Sequence, residues 1–224
     1  MGYELSIYDQ LLQFPLFQGM SHADLMEVAG HTKLGFLKMH AQKKIVDGGD
    51  QCDSLYLLTD GQVTAVTKSA DGAYSVVESL HAPAMLQPER LFGMNTRYTS
   101  GFTTLTDCNF IVIDKQEVVL LLETQLVFRL NMLNVMATKT WRTEQQLWRS
   151  LPATLRERVT RFLVQHTLYP AGEKTFYILM QRIADELNAS RLDVSRCLNT
   201  MQAEGLLTLS RGRIVVPMLE RLLM

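Results

Sequence analysis

The spacing of apolar and polar residues predicts a β-rich zone between two helical zones. Residues 5–14 and the segment after Ser21 have apolar positions at helical spacing, with Ser21 as a predicted N-cap. Between about Leu34 and Asp114, short apolar runs alternate with turn signals such as DGGD, TDG and ADG. This pattern is typical of many short antiparallel strands. It predicts a small antiparallel β-barrel or jelly roll.

From Lys115 to about Ser150 the pattern becomes helical, with a short helix over Gln116–Thr124 and a long helix after it. The long helix has an apolar stripe that needs a partner, either the chain's own core or a parallel helix from a second copy. We favour the second copy because the stripe resembles a coiled-coil seam, although Thr140 and Glu144 interrupt it. The predicted dimer interface comprises Val127, Leu130, Leu133, Ala137, Thr140 and Leu147.

A second predicted domain begins near Pro152, since a proline disfavours helical backbone in the residue before it. We expect an amphipathic helix over residues 153–168, then a loop with the sequence YPAGEKTF. A short helix over Gln181–Leu187, a tight turn and a second helix over Arg191–Glu204 follow. Ser190 is positioned to cap the second helix. This arrangement predicts a helix-turn-helix, whose second helix enters the DNA major groove.

Two apolar strands, LLTL and IVV, follow and flank the sequence SRGR, which predicts a β-hairpin wing. We expect Arg191 to read guanine in a bidentate contact and Ser190 to hold a phosphate. Asp193 is either an acceptor for a cytosine amine or a solvated carboxylate, and Leu192 either touches a thymine methyl or packs. The alternative is a packing domain that makes no DNA contact. The predicted DNA-binding residues are Gln181, Ser190, Arg191, Asp193, Ser195, Arg196, Arg211 and Arg213.

The distribution of charge supports this interpretation, although the net charge of the whole chain is only −1. Residues 1–150 have a net charge of −4 and residues 151–224 a net charge of +3. Nine of the ten C-terminal cations are arginines, which suit bidentate contacts with phosphate and guanine. The asymmetry indicates a basic C-terminal module.

The composition narrows the class of protein further. The chain contains no apolar run of membrane-spanning length and no secretory pattern at its start, so we expect a cytoplasmic protein without a membrane partner. The three cysteines are far apart, which predicts reduced thiols rather than a disulfide framework or a metal site. No nucleophile elbow, HExxH or phosphate loop is present, so we expect no enzyme.

With these motifs in order, the chain resembles the cyclic-AMP receptor protein/FNR (Crp/Fnr) family of bacterial transcription regulators. The similarity is carried by FPLF at 14–17, by the run from Asp47 to Val63, by LTDC at 105–108 and by Gln181–Val216. It implies an α+β fold: a cyclic-nucleotide-binding-like β-roll (1–114), a dimerisation helix (115–150) and a winged helix-turn-helix (151–224). It also implies a homodimer, an inverted-repeat site in double-stranded DNA and a contact with RNA polymerase. In the founding member a Glu follows the arginine that Arg191 matches, and Leu192 stands there instead, so the operator sequence is not carried over.

The predicted effector pocket departs from the pattern of cyclic-AMP binders. Their Gly-Glu pair and their Arg fall on Gln87-Pro88 and Tyr98 in this chain, and Arg97 is one position out of register. A one-residue slip on a strand turns a side chain to the other face, and the cyclic phosphate needs a fixed cationic donor. We therefore expect a different effector, or none. The pocket residues under consideration are Gln87, Glu89, Arg97, Tyr98, Thr99 and Thr143.

Two alternatives for the effector stay open. One is a true cyclic-nucleotide-responsive regulator, in which a loop restores Arg97 to the pocket. The other is a haem or redox sensor of nitrosative stress, with His40, His81, Met85 and Cys108 as conceivable axial ligands. No paired ligand motif selects among these four residues, so the cofactor is left open.

Overall fold

The computed structural model describes residues 6–147 and 152–223, and for residues 145–147 it describes the backbone alone. Contacts divide the chain into two compact units. The first comprises Met1–Val63, Leu80–Thr99 and Thr103–Leu147, and the second comprises Thr64–Ser79, Ser100–Phe102 and Trp148–Met224. The second unit thus combines the C-terminal region with segments of the β-rich zone. The predicted boundaries at 114/115 and 150/151 remain predictions, and the second lies outside the described residues.

The strands β1–β8 lie between helical segments, as the sequence pattern predicts, in an α+β fold. The helices are α1 (Ile7–Leu12), α2 (His22–His31), α3 (Lys115–Thr124), α4 (Leu126–Leu147), α5 (Leu155–Gln165), α6 (Met180–Glu186) and α7 (Arg191–Ala203). The strands are β1 (Leu34–Met39), β2 (Lys44–Val46), β3 (Ser54–Asp60), β4 (Gln62–Lys68), β5 (Ser75–His81), β6 (Ala84–Met85), β7 (Ser100–Thr104), β8 (Cys108–Asp114), β9 (Lys174–Tyr177), β10 (Thr208–Ser210) and β11 (Arg213–Val216). Two 3₁₀ turns lie at Pro88–Arg90 and Leu219–Leu223.

No single helix within residues 6–147 and 152–223 is long and apolar enough to cross a membrane. One helix pair, α3 with Leu126–Glu144 of α4, would together have the length and composition of a membrane span, but the two helices are bent by 116° relative to each other.

A four-stranded antiparallel sheet in the order β1-β8-β3-β6 forms the centre of the first unit. Strand β8 pairs with β1 from Leu34↔Ile113 to Met39↔Cys108. Its other edge pairs with β3, whose Leu55 and Leu57 are buried. The runs LYLL and FIVI therefore form the paired strands that their β-branched and aromatic residues predict.

The turn between β3 and β4 requires the glycine that the sequence places there. Gly61 has a φ of +93°, a conformation that residues with a side chain rarely adopt. A Cβ at this position would also overlap the carbonyl oxygen of Asp107 and the Sγ of Cys108. Any larger residue would therefore displace the start of β8.

Helix α4 buries one face and leaves the other exposed. Phe128 and Met132 are buried, and the ring centroid of Phe128 lies 5.2 Å from that of Phe17. On the opposite face, Leu130 is 50% and Leu133 57% exposed. The predicted stripe is thus not covered by the described residues of its own chain. Val127 is half-buried, Ala137 and Thr140 are exposed, and the side chain of Leu147 lies outside the described residues.

The second unit contains β9, β10 and β11 together with residues 64–68 of β4, 75–79 of β5 and 100–102 of β7. These strands belong to a seven-stranded sheet with the order β10-β11-β9-β5-β4-β7-β2. Helices α5, α6 and α7 share a core with this sheet, built around Phe162, Phe176 and Leu198. The predicted loop YPAGEKTF is wrong in its second half, because Lys174–Tyr177 forms β9. This strand pairs with β11 on one side and β5 on the other, and both partners are distant in sequence. A four-residue strand of this kind has no local signal strong enough to distinguish it from a loop.

Candidate nucleic-acid interface and sensor pocket

The recognition helix α7 begins where the sequence predicts. The hydroxyl of Ser190 accepts a hydrogen bond from the backbone N–H of Asp193 at 3.1 Å, which caps the helix. The same hydroxyl donates to the Asp193 carboxylate at 2.6 Å. The carboxylate in the first turn also suits the positive end of the helix dipole. Both side chains therefore fix the start of α7, which leaves them less free to act as independent readers of DNA.

The two faces of α7 differ sharply in chemistry. Val194, Leu198 and Met201 are buried, as their spacing predicts. Arg191 and Arg196 are exposed, and Ser195 is half-buried between them. Arg196 lies 3.7 Å from the carboxylate of Asp193, whereas Arg191 has no hydrogen-bond or ion-pair partner for its side chain in the described part of the chain. The guanidinium of Arg191 is consequently available to an external acceptor.

The preceding helix, α6, is held close to α7 by a tight turn. Asn188 adopts a φ of +47°, and the backbone N–H of Ala189 donates to the carbonyl of the buried Ala184. Arg158 donates to the Leu187 carbonyl at 2.8 Å and so satisfies the end of the helix. Gln181 is exposed, and its amide donates to Asp185 at 2.8 Å. These contacts assemble the predicted helix-turn-helix.

The wing is the hairpin of β10 and β11, closed by Gly212 at a φ of +70°. Arg211 and Arg213 are both exposed beside this turn. The guanidinium carbon of Arg213 lies 5.8 Å from the ring centroid of Tyr177, in a cation–π contact. Arg191, Arg196, Arg211 and Arg213 therefore give the second unit exposed cations on both its helix and its wing.

In the predicted effector pocket, Gln87 and Thr99 bind each other. Gln87 is buried, donates to the Thr99 hydroxyl at 2.6 Å and accepts from the Thr99 backbone N–H at 3.0 Å. Gln87 lies at a φ of +44°, just before the 3₁₀ turn. The Gln87 amide thus joins the two sides of this loop. Gln87 stands at the position that the alignment with cyclic-AMP binders assigns to their ribose-binding Gly-Glu pair.

The cation that could hold a cyclic phosphate points elsewhere. Arg97 is exposed, and its guanidinium donates to the carbonyl of Gly49 at 2.7 Å. Tyr98 is buried in the next position, its hydroxyl donates to the carbonyl of Ser54, and burial raises its pKa. Arg97 and Tyr98 therefore differ in burial, with the cation on the solvent side. Glu89 pairs with Lys139 of α4, and Thr143 is exposed on the same helix.

The four conceivable haem ligands lie in different environments. His40 is exposed and lies 3.3 Å from the carboxylate of Asp107, and Cys108 donates from its Sγ to the Gln62 carbonyl at 3.2 Å. His81 is exposed, and Met85 is half-buried in β6. Residues 6–147 and 152–223 contain no cluster of three or more His, Cys, Asp or Glu side chains arranged to hold a metal ion.

Cys52, Cys108 and Cys197 form no disulfide with one another. Cys52 and Cys108 are buried and Cys197 is half-buried. Burial raises the pKa of the Cys52 and Cys197 thiols, which disfavours the reactive thiolate. These features are typical of structural rather than redox-active thiols.

Sequence reasoning missed a buried ion pair in the second unit, between Glu78 of β5 and Lys174 of β9. A signal was present, because Glu78 occupies an inward position between Val76 and Leu80 in the alternation of β5. A charge on the inward phase of a strand indicates a buried partner.

Comparison with known proteins gives a consistent family. The model described as cyclic nucleotide-binding domain matches residues 36–125, and the Crp-like helix-turn-helix domain matches residues 157–224. Together they match more than two thirds of the chain. A search of curated proteins finds no match.

Solved structures share the fold. The catabolite activator protein of Thermus thermophilus is 20% identical, with 93% of this chain and 96% of that chain covered and a TM-score of 0.53. A transcriptional regulator of the Crp/Fnr family from Eubacterium rectale is 24% identical, with coverage of 94% and 96% and a TM-score of 0.50. The sensor domain of the regulator DNR from Pseudomonas aeruginosa is 14% identical over 65% of this chain and 94% of that chain, with a TM-score of 0.51. From its two matched domains and their order, the chain belongs to the Crp/Fnr family of DNA-binding transcription regulators.

Proposed function

We propose that this chain is a homodimeric, sequence-specific DNA-binding regulator whose effector is not canonical cyclic AMP. The observation that carries the proposal is the exposed guanidinium of Arg191 at the start of α7, which has no partner among residues 6–147 and 152–223 and lies opposite a fully buried inward face. A recognition helix contacts base edges with its N-terminal residues. A free guanidinium there has the geometry for the two acceptors of guanine.

The remaining predicted DNA contacts divide by chemistry. Arg196 lies five residues after Arg191, about 1.4 helical turns further along α7. It has a weak partner in Asp193, so it can exchange that carboxylate for a base or a phosphate. Arg211 and Arg213 on the wing suit phosphates flanking the major groove, and such contacts position the protein without reading sequence. Gln181 and Ser190 are the candidates for phosphate contacts at the helix starts.

The homodimer is supported by the exposed face of α4. Leu126, Leu130 and Leu133 are each at least half exposed, and Trp141 is 58% exposed further along the helix. An apolar stripe of this length on a solvent-facing helix favours a partner helix. A second copy would supply it and would present two recognition helices to half-sites about one helical turn apart. RNA polymerase is the further partner that membership of the family implies.

The effector proposal rests on the pocket. Gln87 and Thr99 satisfy each other, and Arg97 binds the carbonyl of Gly49. None of these residues offers a cationic side chain that is free to bind a cyclic phosphate. The match of residues 36–125 to the cyclic nucleotide-binding domain favours the alternative, a cyclic-nucleotide-responsive regulator. That alternative requires Arg97 to leave Gly49 and turn inward.

The proposed mechanism is a change in the spacing of the two recognition helices. An effector bound in the β-roll would alter the hinge near Leu151-Pro152, of which Leu151 lies outside the described residues. Only one arrangement of the dimer would fit both half-sites, so the effector would shift the population of competent dimers.

The test is to select operator DNA from a pool of random-sequence duplexes with the full-length protein, and then to titrate the selected duplex at fixed salt. Arg191→Ala should weaken binding by roughly 1–3 kcal/mol and relax the base preference at one position of each half-site. Arg221→Ala is the matched control, because Arg221 is also exposed in the second unit and lies outside α7 and the wing. Unchanged affinity and specificity in Arg191→Ala would contradict the proposal and favour a fold that makes no DNA contact.

A further inference from the structure

Residues 75–79 of strand β5 belong to the second unit, where they pair with β9. The register of β5 with β9 runs from Ser75↔Tyr177 through Val76↔Phe176 and Val77↔Thr175 to Glu78↔Lys174. On its far side, β9 pairs with the wing strand β11, with Tyr177 opposite Arg213. Only β9 therefore separates β5 from the wing.

The end of this pairing contains the buried ion pair. The carboxylate of Glu78 and the ammonium of Lys174 are 3.0 Å apart, and the two side chains are 0% and 1% exposed. Glu78 also accepts hydrogen bonds from the backbone N–H groups of Leu168 at 2.8 Å and Tyr169 at 3.1 Å. The ammonium of Lys174 has no well-aligned hydrogen-bond acceptor among the described residues, so Glu78 is its main compensation.

The rest of the segment packs on the helices of the helix-turn-helix unit. Val76 is buried in the core that contains Phe176 and Ile183 of α6. The ring of Tyr74 lies 5.9 Å from that of Phe162 and 5.5 Å from that of His166. The strand thus adds apolar cover to the same core that holds α5, α6 and α7.

A polar contact connects the turn before β5 to α6. Arg182 of α6 lies 2.7 Å from the carboxylate of Asp71 and 2.7 Å from that of Glu186. Its guanidinium carbon is 5.9 Å from the ring centroid of Tyr74. Since the register places Ser75, Tyr177 and Arg213 in one row, this turn and the wing tip lie at the same end of these strands.

We propose that Glu78 and Lys174 are positioning residues for DNA recognition: their buried contact fixes β5 to β9, and the docked strand holds the wing and α6 in the arrangement that binds DNA. The proposal rests on the proposed function for its DNA readout, and its docking step is measured independently of DNA. Because residues 62–63 of β4 and 80–81 of β5 belong to the first unit, these two strands connect the first and second units covalently.

The pairing of β5 with β9 should depend most strongly on the ion pair between Glu78 and Lys174. Removal of one partner leaves the other charge buried without compensation, which is costly, whereas removal of both charges leaves none. Glu78→Gln should therefore undock β5, and the double variant Glu78→Gln/Lys174→Met should dock again. Arg156→Met is the matched control, since it breaks an exposed ion pair with Glu204 in the same unit.

The docking step is tested by amide hydrogen exchange on the full-length protein. In Glu78→Gln, amides of β5 and β9 should lose protection, while those of α7 around Val194 and Leu198 keep theirs. The double variant should recover protection, and Arg156→Met should match the parent. Unchanged exchange in β5 and β9, or equal loss throughout the second unit, would overturn a specific positioning role.

The DNA step is tested with a reversible crosslink. Val77 and Thr175 are opposite each other across β5 and β9, a separation suited to a disulfide. In a Cys197→Ser background, Glu78→Gln should weaken binding to the selected duplex by about tenfold, within the roughly 5–150-fold range typical of coupling between sites. Adding Val77→Cys and Thr175→Cys should restore affinity when oxidised and lose it again on reduction.

Two outcomes would overturn the proposal: equal affinity in the oxidised and reduced forms, or weaker binding when oxidised, which would make the docked strand inhibitory. If the parent itself shows no preference for any duplex, the proposed function fails, and the exchange experiment still decides whether Glu78 docks β5.

Discussion

The predicted DNA-binding surface on α7 and the wing and the predicted effector pocket both contain polar side chains, but these differ in whether they are bound to other residues of the chain. On α7 and the wing, Arg191 and Arg211 are exposed and have no side-chain partner in the described part of the chain. In the pocket, Gln87 and Thr99 bind each other, Arg97 binds a backbone carbonyl and Glu89 binds Lys139. The first region keeps its hydrogen-bonding capacity for an external ligand, whereas the second uses it internally.

The difference shows why residue types alone do not assign a ligand. An arginine near a pocket can bind a ligand only if its contact with the ligand is more favourable in free energy than its contact with the present acceptor. Arg97 would have to give up the carbonyl of Gly49, and Gln87 would have to leave two hydrogen bonds. Arg191 gives up only water. The family resemblance is therefore informative about DNA and much less so about the effector.

The largest expected effect that sharpens this comparison is on stability in the pocket. Gln87→Ala should lower the free energy of unfolding by roughly 1–3 kcal/mol, because the hydroxyl and the backbone N–H of Thr99 lose their hydrogen bonds to the buried Gln87 amide. Urea denaturation of the full-length protein measures it. Gln51→Ala is the control, since that glutamine is exposed and bonds Thr96 at the surface.

If Gln87→Ala were as stable as the parent and bound cyclic AMP no better, the amide would not be closing the pocket. Tight cyclic-AMP binding by the parent itself would break the comparison more directly, because it would show that the internal hydrogen bonds are easily exchanged.

A smaller effect is expected on the DNA side, at the wing. Arg211→Ala should weaken binding a few-fold for all sequences alike and reduce the salt dependence of binding by about one charge, as expected for one lost phosphate contact. Titrations of the selected and a scrambled duplex at several salt concentrations measure this slope. A change in base preference would instead mean that Arg211 reads sequence, and an unchanged slope would remove the wing from the interface.

The parts of the structure that sequence predicted correctly are determined locally. The capped start of α7 at Ser190 and its inward residues Val194, Leu198 and Met201 follow from one capping residue and one helical period. The exposed side of α4 was likewise visible as a stripe at Leu130 and Leu133, although no sequence pattern distinguishes the chain's own core from a second copy as its partner.

The parts that sequence missed depend on partners far along the chain. Strand β9 has four residues, and it is a strand because β5 and β11 pair with it on both sides. The role of Lys174 depends on Glu78, ninety-six positions earlier in the sequence. A charge at an inward strand position was a detectable signal, but its partner could be found only once the sheet order was known.

The measurement that tests the central claim most directly is a titration of the full-length protein against its selected duplex and a scrambled control, at fixed salt, with and without cyclic AMP. An Arg97→Ala variant is carried in parallel. The account predicts specific binding that cyclic AMP leaves unchanged, in the parent and in Arg97→Ala alike. Specific binding that appears only with cyclic AMP and is lost in Arg97→Ala would contradict it, because Arg97 would then be the phosphate-binding cation of a working nucleotide pocket.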